Sequence, residues 1–327
     1  MTANGPFRYT SPAPPKSATG TVADAYAQMR SDFGIDNPAT FVVLSDAPTI
    51  LTAAWALMRE SLLVGATSRT EKELVAAGVS LANRCPFCID AHTVLLHATG
   101  DHRLAETVGR DDVPADPYQA RLLAWGKDVR TPKPFPAART PAYLGTALAF
   151  HFINRIVSSL VTENMLPGNV QRFRVVRSLA GRTVAGAVRR ELSPGDSLAL
   201  LDDTLVDDVL VAEPSWAAGT PVGTAYAALL TAACAGAGLL SEDDQELVSK
   251  TVAAWDGSHP EPTGGWLPDR SERPGARLAL LAALAPYRIT DEDVAAWRRP
   301  EHRDHCLVHL IAYGAITAVA RIEGQSV

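Results

Sequence analysis

Cysteine is scarce in this chain, four in 327 residues, which excludes a disulfide-stapled framework. Excess charge of one sign is missing too. Thirty Lys and Arg stand against 36 Asp and Glu, a formal net charge of −6. With no basic run either, nucleic acid is not an expected partner. No apolar stretch approaches the roughly 18 residues that a membrane helix needs without charges or breakers. The first twenty residues, rich in Pro, Thr, Ser and Ala, hold no apolar core of a signal peptide. A cytoplasmic protein with no membrane partner is therefore expected. Alternating apolar and polar runs bounded by turn residues are lacking as well, which argues against strands. What remains, 47% hydrophobic and 20% charged residues, is the profile of a globular chain with an ample core and, by length, about two domains.

Helical periodicity runs nearly throughout. It predicts helices near 21–33, 48–64, 70–84, 86–99, 101–109, 117–129, 141–163, 169–181, 195–207, 221–238, 241–256, 273–286 and 301–323. Start signals support several of them: Ser68 and Thr70 ahead of Glu71, Asp116-Pro117, and Thr140-Pro141. The prolines of 131–140 keep that stretch a loop. The expected division is a flexible segment 1–20, a helical domain 21–185 and a second helical domain 186–327. A faint echo links the two halves: Ser68-Arg69-Thr70-Glu71-Lys72-Glu73-Leu74-Val75 lines up with Ser241-Glu242-Asp243-Asp244-Gln245-Glu246-Leu247-Val248. The second half then reads as a duplicated helical unit that kept its fold.

Chemistry concentrates between Glu73 and His92. Arg84-Cys85-Pro86 reads as a helix start with Cys85 at the N-cap and Pro86 at the first helical position, and Gly100 as its stop. In that helix Cys85, Cys88 and His92 share one face. Both sulfurs sit in the first turn, where free backbone N–H groups and the helix dipole favour a thiolate. His92 lies one turn beyond Cys88, close enough to take or return its proton. Glu73 stands at the edge of the preceding helix's buried stripe, where Ala77 and Gly78 allow close approach of a neighbour. Zinc is the rival reading, but Cys85, Cys88 and His92 give three ligands and no fourth is evident. No metal or cofactor is expected. A thioredoxin fold is disfavoured, because its paired cysteines follow a strand.

The pattern Glu-x11-Cys-x2-Cys-x3-His, met by Glu73, Cys85, Cys88 and His92, resembles that of the AhpD-like, or carboxymuconolactone decarboxylase, superfamily of all-helical alkylhydroperoxidases. The segment Tyr143–Arg155 is similar to a helix of its longer members, and the resemblance covers roughly residues 40 to 165. One position departs: peroxidase members carry a histidine between the cysteines, where this chain has Phe87. The resemblance implies an all-α fold with an AhpD-like unit in front, and the internal echo adds a degenerate copy behind. It implies a dithiol peroxidase in which Cys88 attacks an organic hydroperoxide and Cys85 resolves the product as a disulfide. His92 takes the thiol proton, Glu73 orients His92, and an external dithiol resets the pair. A homo-oligomer is expected. Two alternatives stand beside this reading: a redox-sensing or binding module using the same pair, and a non-redox lactone decarboxylase, which needs no cysteine pair.

The remaining candidates are less specific. His151, Asn154 and Arg155 share one face of an apolar helix and line either a pocket or a subunit contact. Cys234, among small apolar residues, reads as an inert core thiol. His97 and His102 read as surface residues, and His302, His305 and His309 as part of the last helix.

Overall fold

The computed structural model describes residues 6–162, 183–202, 211–262 and 264–326. Among them the fold is all-α. The only β pairing described is an isolated bridge between Phe7 and Val161. The first half runs through α1 (Gly20–Gln28), α2 (Ala39–Val42), α3 (Pro48–Met58), α4 (Arg69–Ala82), α5 (Pro86–Thr99), α6 (His102–Gly109), α7 (Pro117–Lys127) and α8 (Thr140–Leu160). Short π-helical turns, Met29–Phe33 and Arg59–Leu63, extend α1 and α3. The second half runs through α9 (Pro221–Cys234), α10 (Glu242–Ala253), α11 (Pro274–Leu284), α12 (Asp291–Trp297) and α13 (Asp304–Ser326).

The starts follow local chemistry. Proline occupies the first turn of α3, α5, α7, α8, α9 and α11, where its missing N–H leaves nothing unpaired. Asp101, Asp116, Thr220 and Ser241 accept a first-turn backbone N–H from their helices, a contact worth about 1 kcal/mol. Helix α12 was not foreseen, although Thr290 and Asp293 form a reciprocal capping box at its start.

Predicted helix 169–181 lies outside the described residues, as does the end of 195–207. The described part of the latter is no α-helix: it holds only a 3-10 turn, Leu198–Leu200. The backbone N–H groups of Gly195 and Ser197 donate to the buried Glu60 carboxylate instead, and Gly195 has a positive φ of 89°. Residues 1–5 of the segment expected to be flexible are also outside the description. From Pro6 onward the chain is tied down: Arg8 N donates to Leu160 O at 2.8 Å and Thr162 N to Pro6 O at 2.8 Å.

Helix α4 sits at the centre of the first half, packed by α5, α7 and α8. Its crossing with α7 is close because both helices present glycine. A Cβ at Gly78 would lie 2.5 Å from Leu123 O, and one at Gly126 2.5 Å from Val75 O. The long α8 and α13 pack on each other, α9 packs on α3, and one contiguous apolar core runs through both halves. Among the described residues two segments, Pro221–Leu239 and Asp304–Ser326, are long and apolar enough to cross a membrane, contrary to the expectation from the sequence. They are core elements here, 56% and 72% buried over their most apolar windows. Composition does not separate a core helix from a spanning one. Burial does.

Candidate active site

Helix α4 ends at Ala82 and α5 begins at Pro86, so three residues must reverse the chain. Arg84 makes the turn in the left-handed region, φ 53°, at a cost of about 1 kcal/mol for a residue with a side chain. The strain sets Cys85 at the N-cap in extended conformation, with its N–H bonded to Ser80 O at 3.0 Å. Cys88 follows in the first turn, and the two sulfurs lie 2.6 Å apart, both cysteines free and buried. The helix runs from Pro86 to Thr99 and stops at Gly100, φ 99°, at the bounds expected from the sequence.

His92 is brought onto Glu73 across the α4–α5 contact, with Nδ1 2.7 Å from Glu73 Oε2. Glu73 is completely buried, and its other oxygen is held by Arg69 one turn earlier, at 2.7 Å. Burial pushes the Glu73 carboxyl up. The Arg69 charge and the hydrogen bonds from His92 and Arg69 outweigh it, so the net displacement is downward and Glu73 stays ionised. An ionised Glu73 fixes the Nδ1–H tautomer of His92 and leaves Nε2 as the basic nitrogen. The His92 ring is steadied by the edge-to-face contact with Phe150, centroids 4.4 Å apart. Sequence reasoning missed Arg69, although its i, i+4 spacing from Glu73 was a usable signal.

The thiols differ from expectation in one respect. Burial, together with the Cys85 sulfur beside it, pushes the Cys88 thiol well up. Desolvation outweighs the helix-start effect, so the resting Cys88 thiol is protonated and needs a base. Cys88 and His92 both line an apolar cavity of about 440 Å³, with Phe41, Met58, Phe87 and Phe150 among its walls. Cys85 is not part of that wall. Phe87, half-buried, occupies the position between the cysteines and contributes its ring to this cavity.

The second-rank candidates separate. His151 and Arg155 line a different, smaller cavity behind the α4–α5 turn, while Asn154 is internal, 3.3 Å from Ser80 Oγ, and lines neither. Cys234 is exposed at the end of α9, not a core thiol as its apolar neighbours suggested. His97 is 3% exposed, held between His102 and Glu106 at 2.9 Å each, so it is no surface residue. His305 and His309 are on α13, and His302 precedes it, stacked on Trp297. Among the described residues no three His, Cys, Asp or Glu side chains gather as a metal cluster.

An all-helical fold carrying a Cys-x2-Cys pair at a helix start, with a buried Glu–His pair beside it, defines an AhpD-like protein. A model of the carboxymuconolactone decarboxylase family matches residues 50–107, which take in α4, α5 and most of α3 and α6. Over 324 residues the chain is 40% identical to the alkyl hydroperoxide reductase Rv2159c of Mycobacterium tuberculosis (strain ATCC 25618 / H37Rv), covering 95% of this chain and 92% of the relative. The chain belongs to the carboxymuconolactone decarboxylase family. No solved structure matches it.

Proposed function

We propose that this protein is a dithiol peroxidase that reduces organic hydroperoxides through a Cys85–Cys88 disulfide. The observation that carries the reading is the placement of Cys88, 2.6 Å from a second sulfur and facing, with His92, an apolar cavity of about 440 Å³. Such a cavity favours an alkyl or aryl hydroperoxide over hydrogen peroxide. The relative named alkyl hydroperoxide reductase supports the same class.

In this reading His92 Nε2 removes the Cys88 proton as the peroxide docks, and Glu73 stabilises the imidazolium that forms. The Cys88 thiolate attacks the terminal peroxide oxygen and the O–O bond breaks. His92 returns the proton to the departing alkoxide, giving the alcohol and Cys88 sulfenic acid. The Cys85 thiol then displaces hydroxide from that sulfur, forming the disulfide and water. An external dithiol reduces the disulfide by exchange, as the cytoplasmic location we propose would permit. Cys88 takes the attacking role because it meets the cavity, whereas Cys85 is 1% exposed and outside its wall.

The test is turnover of cumene hydroperoxide with a recycling dithiol. Catalytic consumption supports a peroxidase. A single stoichiometric oxidation of the pair, with no turnover across several peroxides and dithiols, overturns it in favour of a sensor.

A further inference from the structure

A second cavity, about 70 Å³ in volume, lies behind the turn that presents Cys85 and shares no lining residue with the apolar cavity. Asn83, Arg130, His151, Arg155, Trp255 and His259 are among its walls. Arg155 is 4% exposed, yet among the described residues no carboxylate pairs with it. Its Nε donates to Ala283 O and its Nη1 to His151 O, each at 2.8 Å, and its Cζ lies 5.8 Å from the Trp255 ring. Carbonyls and a ring solvate the charge without neutralising it. Burial lowers its pKa to about 10, which leaves it cationic at neutral pH. Asp128, also in the wall, is taken by Arg130 at 2.7 Å, and Arg130 is itself anchored on Asp256 O. A buried guanidinium without a counter-charge costs several kcal/mol, and the cavity beside it has room for more than one water.

We infer that this cavity is a binding site for a compact oxyanion, taken by the Arg155 guanidinium with the Asn83 amide as a neutral donor in the wall. Neither the redox reading nor the family assignment enters the argument: the site follows from an uncompensated cation in a polar cavity. Its location ties it to the thiols all the same. His259 Nε2 bonds Ala82 O at 2.8 Å and Asn83 Nδ2 bonds His151 Nδ1 at 3.2 Å, so two walls of the cavity are fastened to the α4–α5 turn.

Small carboxylates and inorganic phosphate share the required chemistry, and the experiment has an arm for each. The full-length protein is titrated with sodium acetate or sodium phosphate while the melting temperature is followed. Ionic strength is held by a buffer sulfonate too bulky for the cavity. A saturable rise with at least one oxyanion is expected, acetate alone marking a carboxylate site and phosphate a site for inorganic anions. The same anion should slow amide exchange at Asn83, Arg84 and Cys85. Arg155→Lys should weaken binding at least tenfold, because a point charge replaces the planar fork, and Asn83→Ala by a smaller factor. No saturable rise with either anion overturns the proposal. So does wild-type affinity in Arg155→Lys or, should that variant fail to fold, in Asn83→Ala.

Discussion

Residues 48–160 and 221–326 begin with the same pair of helices at one offset and part where the first half has α5. Pro48 opens α3 as Pro221 opens α9, and Ser68 precedes α4 as Ser241 precedes α10. Each half closes on a long helix, α8 or α13. One contact recurs in detail: Lys72 Nζ donates to Val64 O at 2.8 Å, and at the matching positions Gln245 Nε2 donates to Ala237 O at 3.1 Å. The difference falls where the first half has α5. Among the described residues no helix lies between Ala253 and Pro274, a stretch broken by Pro260, Pro262, Gly264, Gly265 and Pro268. The positions matching Cys85, Cys88 and His92 are Ser258, Glu261 and Gly265. That segment folds back on the first half, where His259 holds Ala82 O and Trp255 lies over Arg155. A cysteine-bearing helix in one half is answered by a buttressing loop in the other, and this asymmetry marks the candidate site.

The largest effect that would break the comparison lies at the thiols. Cys88→Ser should lower peroxide turnover at least about a thousandfold, since among the described residues no other thiol lines the cavity. Cys85→Ser should still consume one equivalent of peroxide per chain and then stop, which mass spectrometry of Cys88 would register as a sulfenic acid or its adduct. Full turnover by either variant would remove the disulfide from the cycle.

The Lys72 contact offers the next largest effect. Burial, with Arg69 nearby, lowers the Lys72 pKa to about 7, whereas in the unfolded chain the amine titrates near 10.5. The unfolded state therefore binds the extra proton between those values, and stability rises with pH across that window. Below pH 7 the folded state carries the buried charge and its full penalty. Lys72→Gln copies the second half's solution and should stabilise by about 2–4 kcal/mol at pH 6, with the gap closing as pH climbs toward 10. Chemical denaturation at several pH values checks this, and a pH-independent difference would refute the assignment.

Much of the site was legible because its signals are local. Pro86 and Gly100 bound α5, and the cysteine spacing puts both sulfurs in one turn. The spacing of Glu73 and His92 gave the pair, but only the resemblance gave the contact, since no local rule brings an acid on one helix to a histidine on the next. What stayed hidden is tertiary. The burial of His97, the exposure of Cys234 and the apolar core role of α13 depend on which neighbour covers each face. The cavity at Arg155 is built from α8 and from a loop a hundred residues later in the chain, so no window of sequence contains it. The Thr290–Asp293 box was legible and went unread.

The smallest effects test the paired acids, Glu73 and Glu246. Both follow a serine start by five positions, yet Glu73 is buried between Arg69 and His92 whereas Glu246 is exposed and paired with Lys250 at 2.6 Å. Glu73→Gln keeps the shape and removes the charge that fixes the His92 tautomer, so kcat/KM should fall by about 10- to 100-fold. The pH–rate curve for Cys88 alkylation should move to higher pH, because an imidazole without its carboxylate is a weaker base. A merely structural role would lower stability and leave that curve in place. Glu246→Gln should change neither turnover nor the curve, since a solvated i, i+4 pair reaches no thiol. If Glu246→Gln slowed turnover as much as Glu73→Gln, the second half would share in the chemistry and the asymmetry between the halves would be wrong.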